Sequence, residues 1–172
     1  GLPSQTQETL PHPSVHLVVE PPQARLYGVH QGRFVRVLKG QGRVFGIKFR
    51  PGGFRPFYGA EVAKLMDGSL AARDLFGAPA GRFEAEVFAA TDMDAMTAAA
   101  ERLLQAHLPA VDANVERVAG LVAAIASDRS ITAVEQLCER TGLNARALQR
   151  PFKNYVGIGP KWVINRYRLH EA

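Results

Sequence analysis

Residues 131–155, ITAVEQLCERTGLNARALQRPFKNY, decide how the second half of this 172-residue chain folds. The stretch reads as two short helices joined by a tight turn. Thr132 is expected to cap the first helix, with Glu135 three residues on closing a capping box. Val134, Leu137 and Cys138 follow at helical spacing and form an apolar stripe. Gly142 then supplies a left-handed turn at no steric cost. Leu143 is expected to plug the angle between the helices, and Asn144 to cap the second.

The second helix carries two different faces. Arg146, Gln149, Arg150 and Lys153 fall at i, i+3, i+4 and i+7, which puts them on one side. Leu148, Phe152 and Tyr155 fall on the other and are expected to pack on the first helix. A basic, amide-bearing helix braced by a shorter one across a glycine turn is the pattern of a helix-turn-helix. Arginine can pair bidentately with guanine and glutamine with adenine, while Lys153 suits a phosphate. The plain alternative is a helical hairpin with a solvated charged face.

The longer run LCERTGLNARALQRPFKNYVGIGPKWVINRYRLHEA resembles the first DNA-binding half of the AraC/XylS family of bacterial transcription regulators. The matching residues are Thr141-Gly142-Leu143, then Leu148-Gln149-Arg150 with Phe152, then Gly157 and Pro160 ahead of a long basic helix. The resemblance covers roughly residues 112–172. It implies that Arg146, Gln149 and Arg150 contact base edges of double-stranded DNA, and that Lys153, Lys161 and Arg166 meet phosphates. Pro151 departs from the pattern, because the family usually has a large apolar residue there. Proline removes a helical donor, clashes with the carbonyl of Ala147 and restricts Arg150. Either a kink or a displaced later turn is expected, and the aim of Lys153 depends on which occurs.

Charge is unevenly distributed along the chain, whose formal net charge is +5. Residues 1–60 carry eight Lys or Arg against two Asp or Glu, residues 61–128 five against eleven, and residues 129–172 eight against three. A basic head, acidic middle and basic tail suggest modules with different partners. Cys138 is the only cysteine, which excludes an intramolecular disulfide and a multi-cysteine metal site. Its helical phase assigns it a packing role. No apolar run is long enough to span a bilayer and no signal peptide is visible, so a cytoplasmic location and no membrane partner are expected.

Residues 1–14 read as an irregular lead-in rich in Pro, Ser, Gln and Thr. Four segments then read as β-strands: 15–20, 24–29, 33–39 and 43–50. Short connections favour antiparallel pairing. Phe34, Val37 and Leu38 do not alternate cleanly, so the third segment is expected to bulge or to be buried on both faces. The prolines and glycines of FRPGGFRPFYG, residues 49–59, argue against helix and long strand there. The segment VFGIKFRPGGFRPFYG, residues 44–59, resembles one in the cupin-like sensor domains of a subset of AraC-type regulators. That resemblance implies a barrel that begins upstream of Gly1. A second helix-turn-helix would follow downstream, so the chain is expected to be a fragment that alone binds DNA weakly.

From Ala60 the pattern turns helical. Residues 61–66 and 81–90 form short amphipathic pieces. Thr91 with Asp94 is expected to cap a helix over 92–107, closed by Pro109. Asp112 opens a further helix with Val115, Val118, Val122 and Ile125 on one face. Pro160 suits the first turn of a last helix, 161–172, where Lys161 can assist phosphate binding. Trp162 is expected to pack against the preceding helix. These readings give an α+β chain: part of an antiparallel β sandwich or cupin-like barrel with a helical connector over 1–108, then an all-α helix-turn-helix unit over 109–172.

Other constellations are weaker. His12 and His16 are separated by Pro13, and no histidine pair of the metal-binding cupin kind occurs, so neither metal nor cofactor is expected. Arg33, Arg36, Lys48, Arg50 and Arg55 can line a pocket for an acidic effector or form a solvated strand face. Phe49, Phe54, Phe57 and Tyr58 can wall that pocket or plug the barrel end. Arg36, Phe49, Arg50, Phe54 and Arg55 are the residues assigned to it. No nucleophile motif and no general-acid pair is found, and an enzyme is not expected. The sequence therefore points to an effector-responsive DNA-binding regulator, with a homodimer allowed. The alternative is a ligand-binding or dimerisation module whose helix-turn-helix does not read DNA.

Overall fold

A computed structural model describes the backbone of residues 5–32, 34–38 and 43–170, and the side chains of residues 10–32 and 43–169. The chain is α+β, with antiparallel sheets followed by helices. The larger sheet is built from β2 (His16–Glu20), β3 (Gln23–Tyr27), β5 (Phe45–Lys48) and β6 (Ser69–Ala71), in the order β5-β2-β3-β6. Strand β1 (Gln5–Thr9) pairs with β4 (Phe34–Leu38) in a separate ribbon. Leu17, Val19, Ala24 and Leu26 alternate inward and are almost fully buried, which is the period-two pattern of a sheet with one covered face.

Several expectations change here. The lead-in is not all irregular, because Gln5–Thr9 form a strand. Its QTQET sequence has little strand propensity, and pairing with β4 supplies the order. That pairing runs residue for residue from Gln5↔Leu38 to Thr9↔Phe34, so β4 does not bulge there. Arg33 and Lys39 lie outside the described residues. The proline-rich loop does hold one helical turn, α1 (Arg55–Tyr58), with Pro56 in its first turn where the missing amide is harmless.

A 3-10 turn, Val62–Leu65, stands where a short amphipathic helix was expected. Helices α2 (Ala72–Phe76) and α3 (Ala78–Ala89) then pack on the sheet, and α4 (Met93–Ala106) packs on α3. Asp92, not Thr91, caps α4, accepting from the Ala95 amide at 2.8 Å. Phe76, Ala80, Phe83, Val87, Met96 and Leu103 join the strand residues in one core. Glu84, only 2 % exposed, is held there by the Ala24 amide at 2.9 Å and by Arg73 at 2.6 Å. A buried carboxylate with a partner for each oxygen is a structural tie.

The second core belongs to α5 (Ala113–Ser127), α6 (Val134–Thr141), α7 (Ala145–Pro151), a π turn (Phe152–Val156) and α8 (Pro160–His170). Val118, Val122 and Ile125 of α5 meet Leu137, Leu148, Phe152, Val163 and Ile164. Val29, from the loop after β3, is part of this core too. Among the described residues no helix is long and apolar enough to cross a membrane.

Candidate nucleic-acid interface

The interface candidate is built from α6 and α7. Gly142 joins them at φ 71, with its amide on the Cys138 carbonyl at 2.8 Å, the left-handed ending that glycine adopts readily. Asn144 caps α7 as its position foretells, accepting from the Ala147 amide at 2.8 Å. The start of α6 differs. Ala133 is the capping residue and has no side-chain acceptor, so only half a capping box exists. Gln136 reaches back to the amides of Ala133 at 2.6 Å and Thr132 at 2.9 Å. Glu135 makes no part of it, because the helix starts one residue later than the Thr132 reading requires.

Leu137 and Leu148 are fully buried between the two helices. Leu143, expected to plug the angle, is 38 % exposed instead. Arg140 ties the end of α6 to Asp128 at 2.8 Å. Hydrogen bonds from Ser130 hold the Asp128 carboxyl below its usual range. Arg168 of α8 donates to the carbonyls of Asp128 and Ile125 at the end of α5, and so closes that helix with a cation.

Arg146, Gln149 and Arg150 are all exposed on α7, with the Gln149 side-chain oxygen beside Gly159. None of the three has a side-chain hydrogen bond or ion pair among the described residues. Pro151 keeps helical angles, φ −63 and ψ −35. The backbone then widens, and the Gly157 amide bonds the Phe152 carbonyl at 2.8 Å, five residues back. The displaced turn is thus the outcome of the proline, and Lys153 lies on it, exposed. Lys161 is exposed as well, beside Thr132, Ala133, Val134, Glu135 and Asn165 in a cleft of about 220 Å³ between α6 and α8.

Arg166 is not available for the phosphate contact that the resemblance implies, because it is 7 % exposed and donates to the Gln31 carbonyl at 3.3 Å. Burial pulls its pKa below the ordinary guanidinium value. Trp162 likewise turns to the sheet and its covering helices (the β-unit), its indole Nε1 donating to the same carbonyl at 3.0 Å.

Among the described side chains, the residues assigned to an effector pocket lie in the core or at the boundary between the two units. Phe49 and Phe54 are buried and meet edge to face at 5.2 Å, and Tyr58 stacks on Phe54 at 5.4 Å. They fill the core, the plug rather than the wall. Arg50 pairs with Glu116 of α5 at 2.5 Å, and Arg55 lies over the Tyr155 ring at 5.8 Å. Both arginines therefore bridge the two units. Arg36 lies in β4, and its side chain is outside the described ones. Sequence reading missed this junction, whose partners are 66 and 100 positions apart (116 − 50 and 155 − 55).

A family described as "Domain of unknown function (DUF6597)" is similar to this chain over residues 1–71. That segment ends with β6 and stops before α2. No curated protein and no solved structure matches the chain.

Proposed function

We propose that this chain is a sequence-specific DNA-binding transcription regulator of the AraC/XylS kind, with α7 as the recognition helix in the major groove. Arg146, Gln149 and Arg150 contact base edges, and Lys153 and Lys161 meet phosphates. The observation that carries the reading is the state of the first three. They are adjacent on one face, exposed and, among the described residues, without a side-chain hydrogen bond or ion pair, on a helix whose other face is anchored by fully buried Leu148. Arginines that serve the fold in this chain are tied to carboxylates or backbone carbonyls, as Arg73 and Arg140, or Arg166 and Arg168, are. Two guanidinium forks and an amide have the donor geometry that guanine and adenine edges accept. A small-molecule effector and a homodimer enter the reading through the family resemblance.

The test is binding to duplex DNA of varied sequence across a salt series. The Arg146→Ala, Gln149→Ala, Arg150→Ala variant should lose discrimination between sequences, at about 1–3 kcal/mol per base contact. Lys153→Ala with Lys161→Ala should weaken all sequences alike and flatten the salt slope by roughly one per phosphate contact. If wild type and the triple variant bind all duplexes equally, α7 does not read bases.

A further inference from the structure

One contact between the two units converges on a single backbone carbonyl. The Gln31 oxygen accepts from Trp162 Nε1 at 3.0 Å and from Arg166 Nη2 at 3.3 Å. The Arg166 guanidinium also lies 4.6 Å from the centroid of the Trp162 ring. Residues 162 and 166 are one helical turn apart on α8, so both reach the carbonyl from the same face. On the β side, Gln31 is itself anchored. Its amide donates to Asp67 Oδ1 at 2.8 Å and its Nε2 to Asp67 Oδ2 at 2.9 Å. The Asp67 amide closes on the Val29 carbonyl at 3.0 Å, and Asp67 has φ 56. Val29, 1 % exposed, packs in the helical core.

We propose that Asp67, Gln31, Trp162 and Arg166 form a latch that couples residues 28–32 of the β-unit to the scaffold of the helix-turn-helix. A buried guanidinium needs its acceptors. If residues 28–32 shift, the carbonyl leaves Arg166, Val29 leaves the helical core, and α8 loosens on that face. The response is a release, because a packed interface has discrete arrangements rather than a continuum. The latch leaves the exposed face of α7 uncovered, so it acts through the rigidity of the scaffold. Only its effect on DNA affinity rests on the function proposed above.

The test uses the full chain and Asp67→Gly. Glycine accepts the left-handed backbone at position 67 and removes both anchors of Gln31. Amide hydrogen exchange is followed in residues 28–32 and 160–168, together with acrylamide quenching of Trp162, the only tryptophan. Asp67→Gly should speed exchange in both segments and raise quenching roughly twofold, with Asp67 reaching α8 through Gln31 and Val29. Arg166→Met should do the same from the other side. Gln31→Ala, which keeps the carbonyl and cuts one anchor, should give a smaller change in the same direction, and it decides the matter if either other variant fails to fold. If Asp67→Gly and Gln31→Ala quicken the loop alone and leave α8 and Trp162 as in wild type, the latch is overturned. Failure of wild type to bind DNA would sink the proposed function while leaving these readouts intact. If wild type does bind, Asp67→Gly should weaken binding severalfold without altering sequence preference.

Discussion

Gly157 rests directly on Val62: a β-carbon on it would stand 2.8 Å from the valine Cγ1 and 3.2 Å from its carbonyl oxygen. Gly157 also has φ 95, a backbone that L side chains rarely adopt. The residue ends the π turn after α7 and lies against the 3-10 turn of the β-unit, so it fixes how closely the units approach. Gly157→Ala should destabilise the protein by about 2–4 kcal/mol, combining backbone strain and overpacking. Thermal unfolding checks this. A melting temperature within a degree of wild type would mean the units separate without cost.

The Tyr155 hydroxyl donates to the Asp112 carboxylate at 2.6 Å, across the junction between α5 and the π turn. That bond, with the Asn114 amide, holds the Asp112 pKa below its ordinary 3.8, while burial and then Asp112 push the Tyr155 phenol above 10.0. The carboxylate is favoured in the folded state. Its contribution is therefore present above the unfolded value near 4 and lost as pH falls through the lower folded value. The phenol works the other way, since its contribution holds below 10 and is lost as pH rises through the raised folded value. Tyr155→Phe should flatten the stability profile at both ends. Melting temperatures of wild type and variant from pH 2 to 5 give the acid limb, and parallel profiles there would refute the coupling.

The caps at the two helix starts separate what residue type alone announces from what geometry decides. Asn144→Ala should cost about 1 kcal/mol, because it strands the Ala147 amide at an N-terminus. Gln136→Ala should cost a similar amount, since Gln136 supplies the acceptor for Thr132 and Ala133. Thr132→Ala should change stability little. Equal losses from Thr132→Ala and Gln136→Ala would restore Thr132 as the cap. Denaturant unfolding midpoints distinguish these outcomes.

The same contrast explains what was legible in the sequence. Gly142 and Asn144 are local signals, fixed by backbone angle and a hydrogen bond three residues away, and both are where the pattern puts them. The apolar faces of α5 and α7 follow from helical period, and Val118, Ile125 and Leu148 are fully buried. Non-local facts were hidden. The polar strand Gln5–Thr9 exists through β4, Leu143 is left at the surface, and Arg166 is drawn inward by a carbonyl 135 residues away. An arginine on a basic helix looks the same in sequence whether it faces phosphate or the protein. The arginines Arg50 and Arg55 posed the same problem and turned out to face α5 and Tyr155.

Pro151 tests whether the widened turn matters to the face ahead of it. Its missing amide leaves the Ala147 carbonyl without an α-helical partner, and the i to i+5 bond of Phe152 and Gly157 follows immediately. Yet Arg146, Gln149 and Arg150 all precede the proline, on a turn whose cap is intact. A proline in a helix interior costs about 3 kcal/mol. Here its angles are already helical and the chain beyond it is held by buried Phe152 and Val156. Pro151→Ala should therefore raise stability by no more than roughly 1 kcal/mol. On the proposed function it should leave the sequence preference of DNA binding unchanged, with any loss or gain confined to the salt slope through Lys153. A change of preferred base sequence in the variant would show that the proline aims the proposed recognition helix itself.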